Sequence, residues 1–324
     1  MIQTILITGG LGFIGSNLVR RILRESDDRI IVFDRVSYAG RIENLPSETN
    51  SSKRIQFVRG DVTHKNHLAS VVRDCQAVVH LAAHTNAALS FSQPAEFFTT
   101  NTIGTSNVLE AIAESAVQRA IIASSSEVYG NSVADIPMDE LHPCNPVSPY
   151  AVSKLAADRL AYSYHATRKL PISILRPFNT YGPYQHTEKM IPRFITQLLV
   201  GNKITLYNGG YQERDWISVD DHTNAVVATL NAPLEKVKGE IFNVGTGHAT
   251  TVRAIALAIL HCLGKDQSWI QETVSDKPET RANVGISNKA KDVIGWEAHI
   301  SLEDGISRTV QWYQEHEEWW RTLG

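Results

Sequence analysis

The sequence TILITGGLGFIGSNLVRRIL, residues 4–23, joins an apolar strand to an amphipathic helix through a glycine-rich turn. Gly9, Gly12 and Gly15 follow one another at intervals of three, directly after the apolar run 5–7. Glycines at these positions allow a tight turn and a close approach of the backbone to a ligand. The start of the following helix presents free N–H groups and a positive dipole end to an anion. This order of strand, glycines and helix therefore predicts a dinucleotide-binding site that holds a pyrophosphate.

The second apolar run, residues 29–33, ends at Asp34. An acid at about this distance from the glycines binds the adenosine ribose in dinucleotide-binding folds. Because a carboxylate there repels a 2′-phosphate, the sequence predicts NAD as the cofactor in preference to NADP. Two alternatives stay open, since Asp34 could simply cap the strand and the neighbouring Arg35 is compatible with NADP.

Strand-like apolar runs recur along the first half of the chain, and most segments between them have helical periodicity. Alternating strands and helices predict an α/β fold with a doubly wound parallel sheet of the Rossmann type. Ligands of such folds bind beyond the carboxyl ends of the strands, and polar residues follow the strands here. The predicted strands are 5–7, 30–33, 55–58, 77–80, 120–123 and 172–175, and the polar residues that follow them are Asp34, Asp61, 82–86, 124–127 and 176–179.

The pattern changes after residue 178. We expect residues 1–178 to form the NAD-binding Rossmann domain and residues 179–324 to form mainly a smaller mixed α/β substrate-binding lobe. Within this lobe, residues 200–221 have the pattern of strand, turn and strand, and roughly 215–247 should return to the Rossmann domain. The end of the chain predicts helices, including 255–263 and 302–320, with an aromatic-rich tail that serves packing.

A second motif, SPYAVSK at 148–154, places Tyr150 and Lys154 four residues apart. Four residues are about one helical turn, so the phenol and the ammonium share a face of the helix, where the cation can favour the phenolate. A Tyr activated in this way is a general base for a hydroxyl proton. Alone the motif is weak, because an exposed Tyr stacked on a Lys stem gives the same spacing.

Composition sets broad limits. With 324 residues, 43% hydrophobic and 20% charged, the chain has the composition of a globular protein with a sizeable core. A net charge of −3 gives no indication of a nucleic-acid surface. Three cysteines without metal spacing fit a reducing compartment, and we expect neither a leader nor a membrane-spanning segment. We therefore expect a cytoplasmic protein without a metal site.

Motifs over nearly the whole length resemble those of the extended short-chain dehydrogenase/reductases that act on nucleotide sugars. Within that family the chain is most similar to the dTDP-glucose 4,6-dehydratases, through DRVSYAG (34–40), SSEVYG (125–130) and YGPYQHTEKMIPRFI (181–195). The other matching motifs are TGGLGFIGSN (8–17), GDV (60–62), HLAA (80–83), NTIGT (101–105), YAVSK (150–154), RPFNTYGP (176–183), RDWISVDD (214–221) and FNVGTG (242–247).

One position departs from that group. The dTDP-glucose 4,6-dehydratases carry Thr, Asp and Glu where this chain has Ser125, Ser126 and Glu127. A hydroxyl residue followed by Glu is similar instead to GDP-mannose 4,6-dehydratases, some dehydratases of UDP-N-acetylhexosamines and UDP-glucuronate decarboxylases. The resemblance thus implies fold and cofactor but leaves the substrate open.

The resemblance also implies a reaction. Tyr150, helped by Lys154, would take the proton of the sugar C4 hydroxyl while hydride passes to NAD, and Ser125 would hold the same oxygen. Glu127 would then remove the C5 proton that the C4 ketone acidifies, water would leave from C6, and hydride would return to C6. Since Ser126 is no acid at neutral pH, the leaving hydroxyl would be protonated either by Glu127 itself in a same-face elimination or with the help of Ser126, which would relay a proton or order a water.

Cofactor and substrate contacts are carried over in the same way. A nucleotide-diphosphate sugar would bind between the two lobes, with Lys189, Arg214 and Arg281 as candidate cations for its phosphates. The cofactor-binding candidates are Gly9, Gly12, Phe13, Ile14, Gly15, Asp34, Tyr38, Gly40, Asp61, Val62, Leu81, Ala82, Ala83, Thr100, Tyr150, Lys154 and Phe178. The substrate-binding candidates are His84, Thr85, Asn86, Ser125, Asn179, Lys189, Met190, Arg214, Asn243 and Arg281.

The leading interpretation is an NAD-dependent NDP-hexose 4,6-dehydratase, a lyase that forms a 4-keto-6-deoxy sugar. A nucleotide-sugar 4-epimerase, a UDP-glucuronate decarboxylase and a noncatalytic NAD-sensing scaffold remain alternatives, the last because fold does not imply function. The family usually forms homodimers through two helices per subunit, and residues 94–115 and 150–169 match those helices. A homodimer is therefore expected.

Overall fold

The computed structural model describes residues 3–45, 52–132, 136–275 and 282–323. The described residues form strands at β1 (Thr4–Thr8), β2 (Arg29–Asp34), β3 (Ile55–Arg59), β4 (Ala77–His80), β5 (Arg119–Ala123), β6 (Ile172–Pro177), β7 (Asn179–Tyr181), β8 (Ile204–Tyr207), β9 (Glu213–Ser218), β10 (Ile241–Val244), β11 (Ala249–Thr251), β12 (Ile270–Thr273) and β13 (Ala282–Asn283).

Helices connect most of these strands. They are α1 (Phe13–Glu25), α2 (Lys65–Val72), α3 (Ala87–Ser90), α4 (Pro94–Phe97), α5 (Gly104–Ala113), α6 (Pro149–Arg168), α7 (Met190–Leu199), α8 (Val219–Asn231), α9 (Leu234–Val237), α10 (Val252–Cys262), α11 (Asn288–Ile294), α12 (Leu302–Glu315) and α13 (Glu317–Arg321). Among the described residues, none of these helices combines the length and the apolar character needed to cross a membrane.

Seven strands form one parallel sheet in the order β10-β6-β5-β4-β1-β2-β3. Separate apolar clusters cover its two faces, one with Leu18 and Val19 of α1 and the other with Val108 and Leu109 of α5. The chain runs outward from β1 to β3 and then crosses to β4 on the other side of β1. This reversal opens a crevice at the carboxyl ends of β1 and β4. The predicted Rossmann-type α/β fold is confirmed.

A second group of elements follows β6. Strands β11, β9 and β13 form a small sheet that β7 joins through β9, while β8 pairs with β12. The predicted strands within 200–221 exist as β8 and β9, but they belong to different sheets. A third apolar cluster, with residues from α7, α10 and α12, packs this part of the chain. Strand β10 pairs with β6 in the seven-stranded sheet, and α8 packs on α1. The domain division at residue 178 and the return of roughly 215–247 to the first domain stay predictions.

Two predicted helices are interrupted. The segment 94–115 contains a π-helix at Phe98–Ile103 between α4 and α5, and the C-terminal helix breaks at His316 between α12 and α13. The π-helix carries Asn101, whose side chain accepts from His84 N at 2.8 Å and donates to His84 O at 3.0 Å and to Ser153 Oγ at 2.9 Å. These bonds tie the backbone after β4 to α6. Interruptions of this kind are frequent at functional sites.

Candidate active site

The glycine turn brings the backbone close to the next strand. Gly9 has φ +70°, and a Cβ added to it would lie 2.7 Å from Ala82 N. A Cβ at Gly15 would lie 2.3 Å from Gly9 O, so neither position accepts a side chain. A Cβ at Gly12, the residue before α1, would meet Gly9 O alone, at 3.2 Å. The turn therefore leaves room at the start of α1, which fits a pyrophosphate.

Asp34 lies at the end of β2, beside this turn. Its carboxylate accepts from Leu11 N at 3.1 Å and from Val36 N at 2.9 Å. Burial raises the pKa of Asp34, and these backbone bonds act in the opposite direction. Val36 has φ +63°, an unusual conformation for a β-branched residue that the bond to Asp34 helps to hold.

Arg35, the cation that kept NADP open, is engaged elsewhere. Its Nη2 lies 2.8 Å from His84 Nε2, and its Nη1 lies 3.5 Å from Asp61 Oδ2. The guanidinium thus joins the ends of β3 and β4. With Asp34 at the position of the adenosine ribose, this arrangement favours NAD.

One cavity of about 480 Å³ collects most of the predicted site. All five predicted catalytic residues and all predicted cofactor contacts line it. The members from the cofactor set are Gly9, Gly12, Phe13, Ile14, Gly15, Asp34, Tyr38, Gly40, Asp61, Val62, Leu81, Ala82, Ala83, Thr100, Tyr150, Lys154 and Phe178, and those from the substrate set are His84, Thr85, Ser125, Asn179, Lys189 and Met190.

Tyr150 and Lys154 lie on the first turns of α6, which Ser148 caps by accepting from Ala151 N at 3.1 Å. Burial raises the pKa of Tyr150 to about 12, a hydrogen bond with Ser125 lowers it, and the charge of Glu127 raises it. The predicted activation of Tyr150 by Lys154 stays a prediction.

The ammonium of Lys154 contacts the backbone of the main sheet. It donates to Ala123 O at the end of β5, at 2.6 Å, and burial lowers the pKa of Lys154 to about 8. The helical spacing placed the two groups on one face, but the carbonyl competes for the ammonium.

Ser125 and Glu127 lie on the turn that follows β5. Ser125 Oγ accepts from Glu127 N at 3.2 Å, so it caps this turn as well as bonding to Tyr150. Burial raises the pKa of Glu127, while the charges of Arg214 and Lys189 lower it. A carboxyl group with a raised pKa is suited both to accept and to return a proton near neutral pH. Ser126, also in the cavity, is buried.

Glu188 lines the cavity and joins several of its loops. It accepts from Tyr38 Oη at 3.1 Å and from Asn86 Nδ2 at 2.9 Å, and it pairs with Lys189 at 3.3 Å. Lys189 Nζ also donates to Thr85 O at 2.9 Å. The loop before α7 therefore contacts two other segments, the loop after β2 that carries Tyr38 and the segment after β4 that carries Thr85 and Asn86.

Asn243 does not line the cavity, and its role as a substrate contact stays a prediction. Its side chain is fully buried, accepts from Tyr129 Oη at 2.7 Å and donates to Met138 O at 2.9 Å and to Ile286 O at 3.2 Å. These bonds use its amide for packing.

The other substrate candidates differ in position. Asn86 and Arg214 are not part of the cavity lining, although Asn86 bonds Glu188 and the charge of Arg214 acts on Glu127. Arg281 lies outside the described residues.

The cavity also contains residues that the sequence analysis did not select. Thr180, Gln185, Glu188, Trp216 and His222 all line it. The sequence could have indicated these positions in part, because all five fall within or directly after the motifs RPFNTYGP, YGPYQHTEKMIPRFI and RDWISVDD. Which side chains of a loop turn inward is decided by its tertiary contacts, and spacing in the sequence does not give it.

Known proteins resemble the chain over almost its entire length. A family model described as GDP-mannose 4,6 dehydratase matches residues 6–309. A dTDP-glucose 4,6-dehydratase of Streptomyces niveus is 35% identical over 98% of this chain and 95% of its own, and one of Mycolicibacterium smegmatis is 36% identical over 98% and 96%. The crystal structure of DesIV, a dTDP-glucose 4,6-dehydratase of Streptomyces venezuelae with NAD bound, has a TM-score of 0.93 at 36% identity and covers 99% of this chain and 100% of its own.

Proposed function

The chain belongs to the GDP-mannose 4,6 dehydratase family and is an NAD-dependent NDP-hexose 4,6-dehydratase, in which we propose that Tyr150, Ser125 and Glu127 carry out the chemistry. The observation that supports these roles is their common position in the cavity beside the glycine turn. When bound, NAD takes hydride from the sugar C4 and returns it at C6, so it is not consumed.

Tyr150 removes the proton of the C4 hydroxyl. Its hydroxyl bonds Ser125, which also orients the sugar oxygen, and with a pKa of about 12 the phenol is protonated before the cofactor binds. The positive charge of oxidised NAD lowers that pKa when the cofactor binds. Lys154 holds the end of β5 through Ala123 and keeps two further ammonium protons for ligands.

Glu127 removes the C5 proton and returns it to the leaving C6 hydroxyl, which departs as water. After hydride adds to C6, a proton from solvent completes C5, while the C4 hydroxyl proton taken by Tyr150 passes to solvent. Ser126 has no acid function at neutral pH, whereas burial raises the pKa of Glu127 toward the range in which one carboxyl group can do both. This same-face elimination makes Glu127 sufficient where related enzymes use two acids.

The substrate lies between the catalytic turn and the loop before α7. Asn179, Lys189 and Met190 line that side of the cavity, and Lys189 supplies a cation for the diphosphate. We assign dTDP-glucose as the substrate, because the dTDP-glucose 4,6-dehydratases described above share about a third of their residues with this chain.

Product mass tests this function. We expect purified protein to remove one water from dTDP-glucose, and to do so faster than from UDP-glucose, GDP-mannose or UDP-N-acetylglucosamine. Water loss from another nucleotide sugar would keep the reaction and change the substrate. A sugar isomer of unchanged mass would identify an epimerase, and loss of carbon dioxide from UDP-glucuronate would identify a decarboxylase; either would overturn the role of Glu127.

A homodimer is proposed from the two helical segments 94–115 and 150–169. Phe91, Ile103, Val152 and Tyr162 lie on or beside these segments and expose 66%, 54%, 39% and 45% of their surface. Apolar side chains gathered on one pair of helices are typical of a subunit interface. Light scattering should give the mass of two chains for the protein and of one chain for Ile103→Glu. Val274→Glu, a control at an 83% exposed residue directly after β12, should stay dimeric. A monomeric parent protein would contradict the proposal.

A cytoplasmic location also stays a proposal. The three cysteines are free, Cys75 buried, Cys144 partly buried and Cys262 exposed, which fits a reducing compartment.

A further inference from the structure

In the part of the chain that the structure describes, three residues that line the cavity carry a buried polar atom without a partner, namely Ser124, Gln185 and His222, and the last two both contact Thr180. His222 is 1% exposed and Gln185 is 8% exposed. Among the described residues, His222 Nε2 and Gln185 Oε1 have no hydrogen-bond partner. Both side chains line the cavity that contains Tyr150 and Glu127. Because buried polar atoms are nearly always paired in folded proteins, these two indicate a ligand group that approaches them.

Thr180 determines the chemical character of both atoms. Its hydroxyl donates its one proton to Phe178 O at 3.2 Å, so His222 Nδ1, 2.9 Å from Thr180 Oγ1, is the donor in that contact. His222 Nε2 is then an acceptor. Gln185 Nε2 donates to Thr180 O at 2.9 Å, which leaves Gln185 Oε1 as a second acceptor.

Burial lowers the pKa of His222 to about 4, so the ring is neutral at physiological pH. A neutral ring keeps the Nε2 lone pair available. The two atoms therefore require hydrogen-bond donors, and a phosphate, which only accepts, does not satisfy them.

The position of the pair in the sheet selects one half of NAD. Thr180 follows β6, which neighbours β5, and the turn after β5 carries Ser125 and Glu127. Asp34, the residue at the adenosine end, ends β2 on the far side of β1. A dinucleotide extends across the crevice, so the half beyond β4 and β5 is the nicotinamide half.

We infer that Gln185 and His222 bind the carboxamide NH₂ of the nicotinamide, an inference that rests on NAD being the cofactor of the proposed reaction. An amide nitrogen carries two protons in fixed directions, which matches two acceptors, whereas each ribose hydroxyl carries one. Fixing the carboxamide fixes the rotation of the pyridine ring, and with it the face that is presented to the sugar C4. Both side chains are thus positioning residues for hydride transfer.

Cofactor analogues test this assignment in nucleotide-free protein. In 3-acetylpyridine adenine dinucleotide a methyl group replaces the carboxamide NH₂, and ADP-ribose lacks the ring altogether. By titration calorimetry we expect the parent protein to bind NAD about tenfold more tightly than the acetylpyridine analogue. His222→Leu and Gln185→Leu should each weaken NAD binding, abolish this preference and leave ADP-ribose binding unchanged.

His186→Leu is the matched control. His186 lies on the same loop, but its ring faces Tyr38 and its Nδ1 accepts from Glu188 N. Any loss of affinity in this variant should affect NAD and the analogue equally, so that the ratio of their dissociation constants is kept.

Several results would overturn the inference. A parent protein without a preference for NAD, or variants that keep it, would mean that water and not the carboxamide fills the subsite. Equal weakening of NAD and ADP-ribose would assign the pair to the pyrophosphate or to folding. If neither ligand bound the parent protein, the cofactor itself would be wrong, and the inference would fall with it. Melting curves show whether each variant is folded. If His222→Leu does not fold, the affinities of Gln185→Leu for NAD and the analogue are sufficient for the test.

Discussion

Replacement of Tyr150 by Phe should reduce turnover by about 10²–10⁴-fold, the usual contribution of a positioned acid or base. The ring fills the same space and Phe97 still packs against it, so the loss reports the hydroxyl alone. The rate constant should fall with the sugar nucleotide saturating, because the C4 proton then has no acceptor. The dissociation constant of NAD, measured by calorimetry, should change little.

Tyr162→Phe is the control for this variant. Tyr162 lies on the same helix, 45% exposed and on the proposed dimer interface, so the substitution removes a hydroxyl that does not line the cavity while keeping the ring that packs at the interface. We expect its turnover to equal that of the parent protein. A Tyr150→Phe protein that binds NAD and turns over normally would contradict the assigned role. Another residue would then have to be the base for the C4 hydroxyl.

The phenol also gives a spectroscopic prediction for the same residue. Because the pKa of Tyr150 is about 12 without ligands, its phenolate absorption should appear only at high pH. With NAD bound it should appear at lower pH than with ADP-ribose, since ADP-ribose lacks the positive ring. The difference should vanish in Tyr150→Phe.

The sheet could be predicted from the sequence because its strands are short apolar runs that end in glycine or polar residues. Strand β4 occupies the predicted residues 77–80, and β1, β2, β3, β5 and β6 extend the predicted runs by one or two residues at either end. Apart from the edge strand β3, these strands are mostly buried on both faces, so their apolar pattern is dictated by the sheet itself. The π-helix at Phe98–Ile103 has no such signature, because Asn101 adopts its position to bond His84 and Ser153, which are distant in sequence.

The sequence predicted those parts of the site that lie in recognisable motifs. The glycines are required by the backbone geometry of the turn, and Tyr150 is required by the chemistry. Both requirements restrict the residue type, so they can be recognised in the sequence. The partner of Lys154 was not predictable, since the carbonyl of Ala123 competes with the phenol only once β5 and α6 have packed. Asn243 shows the reverse case, a polar residue in a family motif whose amide is used entirely by the fold.

Glu127→Gln should abolish water loss, with a fall of at least about 10²-fold in product formation. Glutamine keeps the shape and the hydrogen-bonding capacity of the side chain but has no basic oxygen, so the C5 proton is not removed. In deuterated water the parent protein should incorporate solvent deuterium during turnover and the variant should not. NAD binding should be kept, because Glu127 is assigned to the sugar.

The pH profile separates a base from a merely structural carboxylate. Glu127 acts when ionised and burial raises its pKa, so the rate should fall as the pH is lowered, starting at a higher pH than for an ordinary glutamate. The charge of Arg214 lowers that pKa, so Arg214→Met should move the acid limb to still higher pH. If Glu127 had only a structural role, Arg214→Met would not shift the acid limb of the pH profile.

Ser126→Asp tests whether Glu127 also supplies the proton to the leaving hydroxyl. If Glu127 serves both steps, adding the acid that dTDP-glucose 4,6-dehydratases carry at this position should not restore Glu127→Gln, because the C5 base would still be missing. In the parent background Ser126→Asp should change the rate little, since the proton already has a donor. A large gain there would show that protonation limits the reaction through Ser126, and it would reduce Glu127 to the role of C5 base alone.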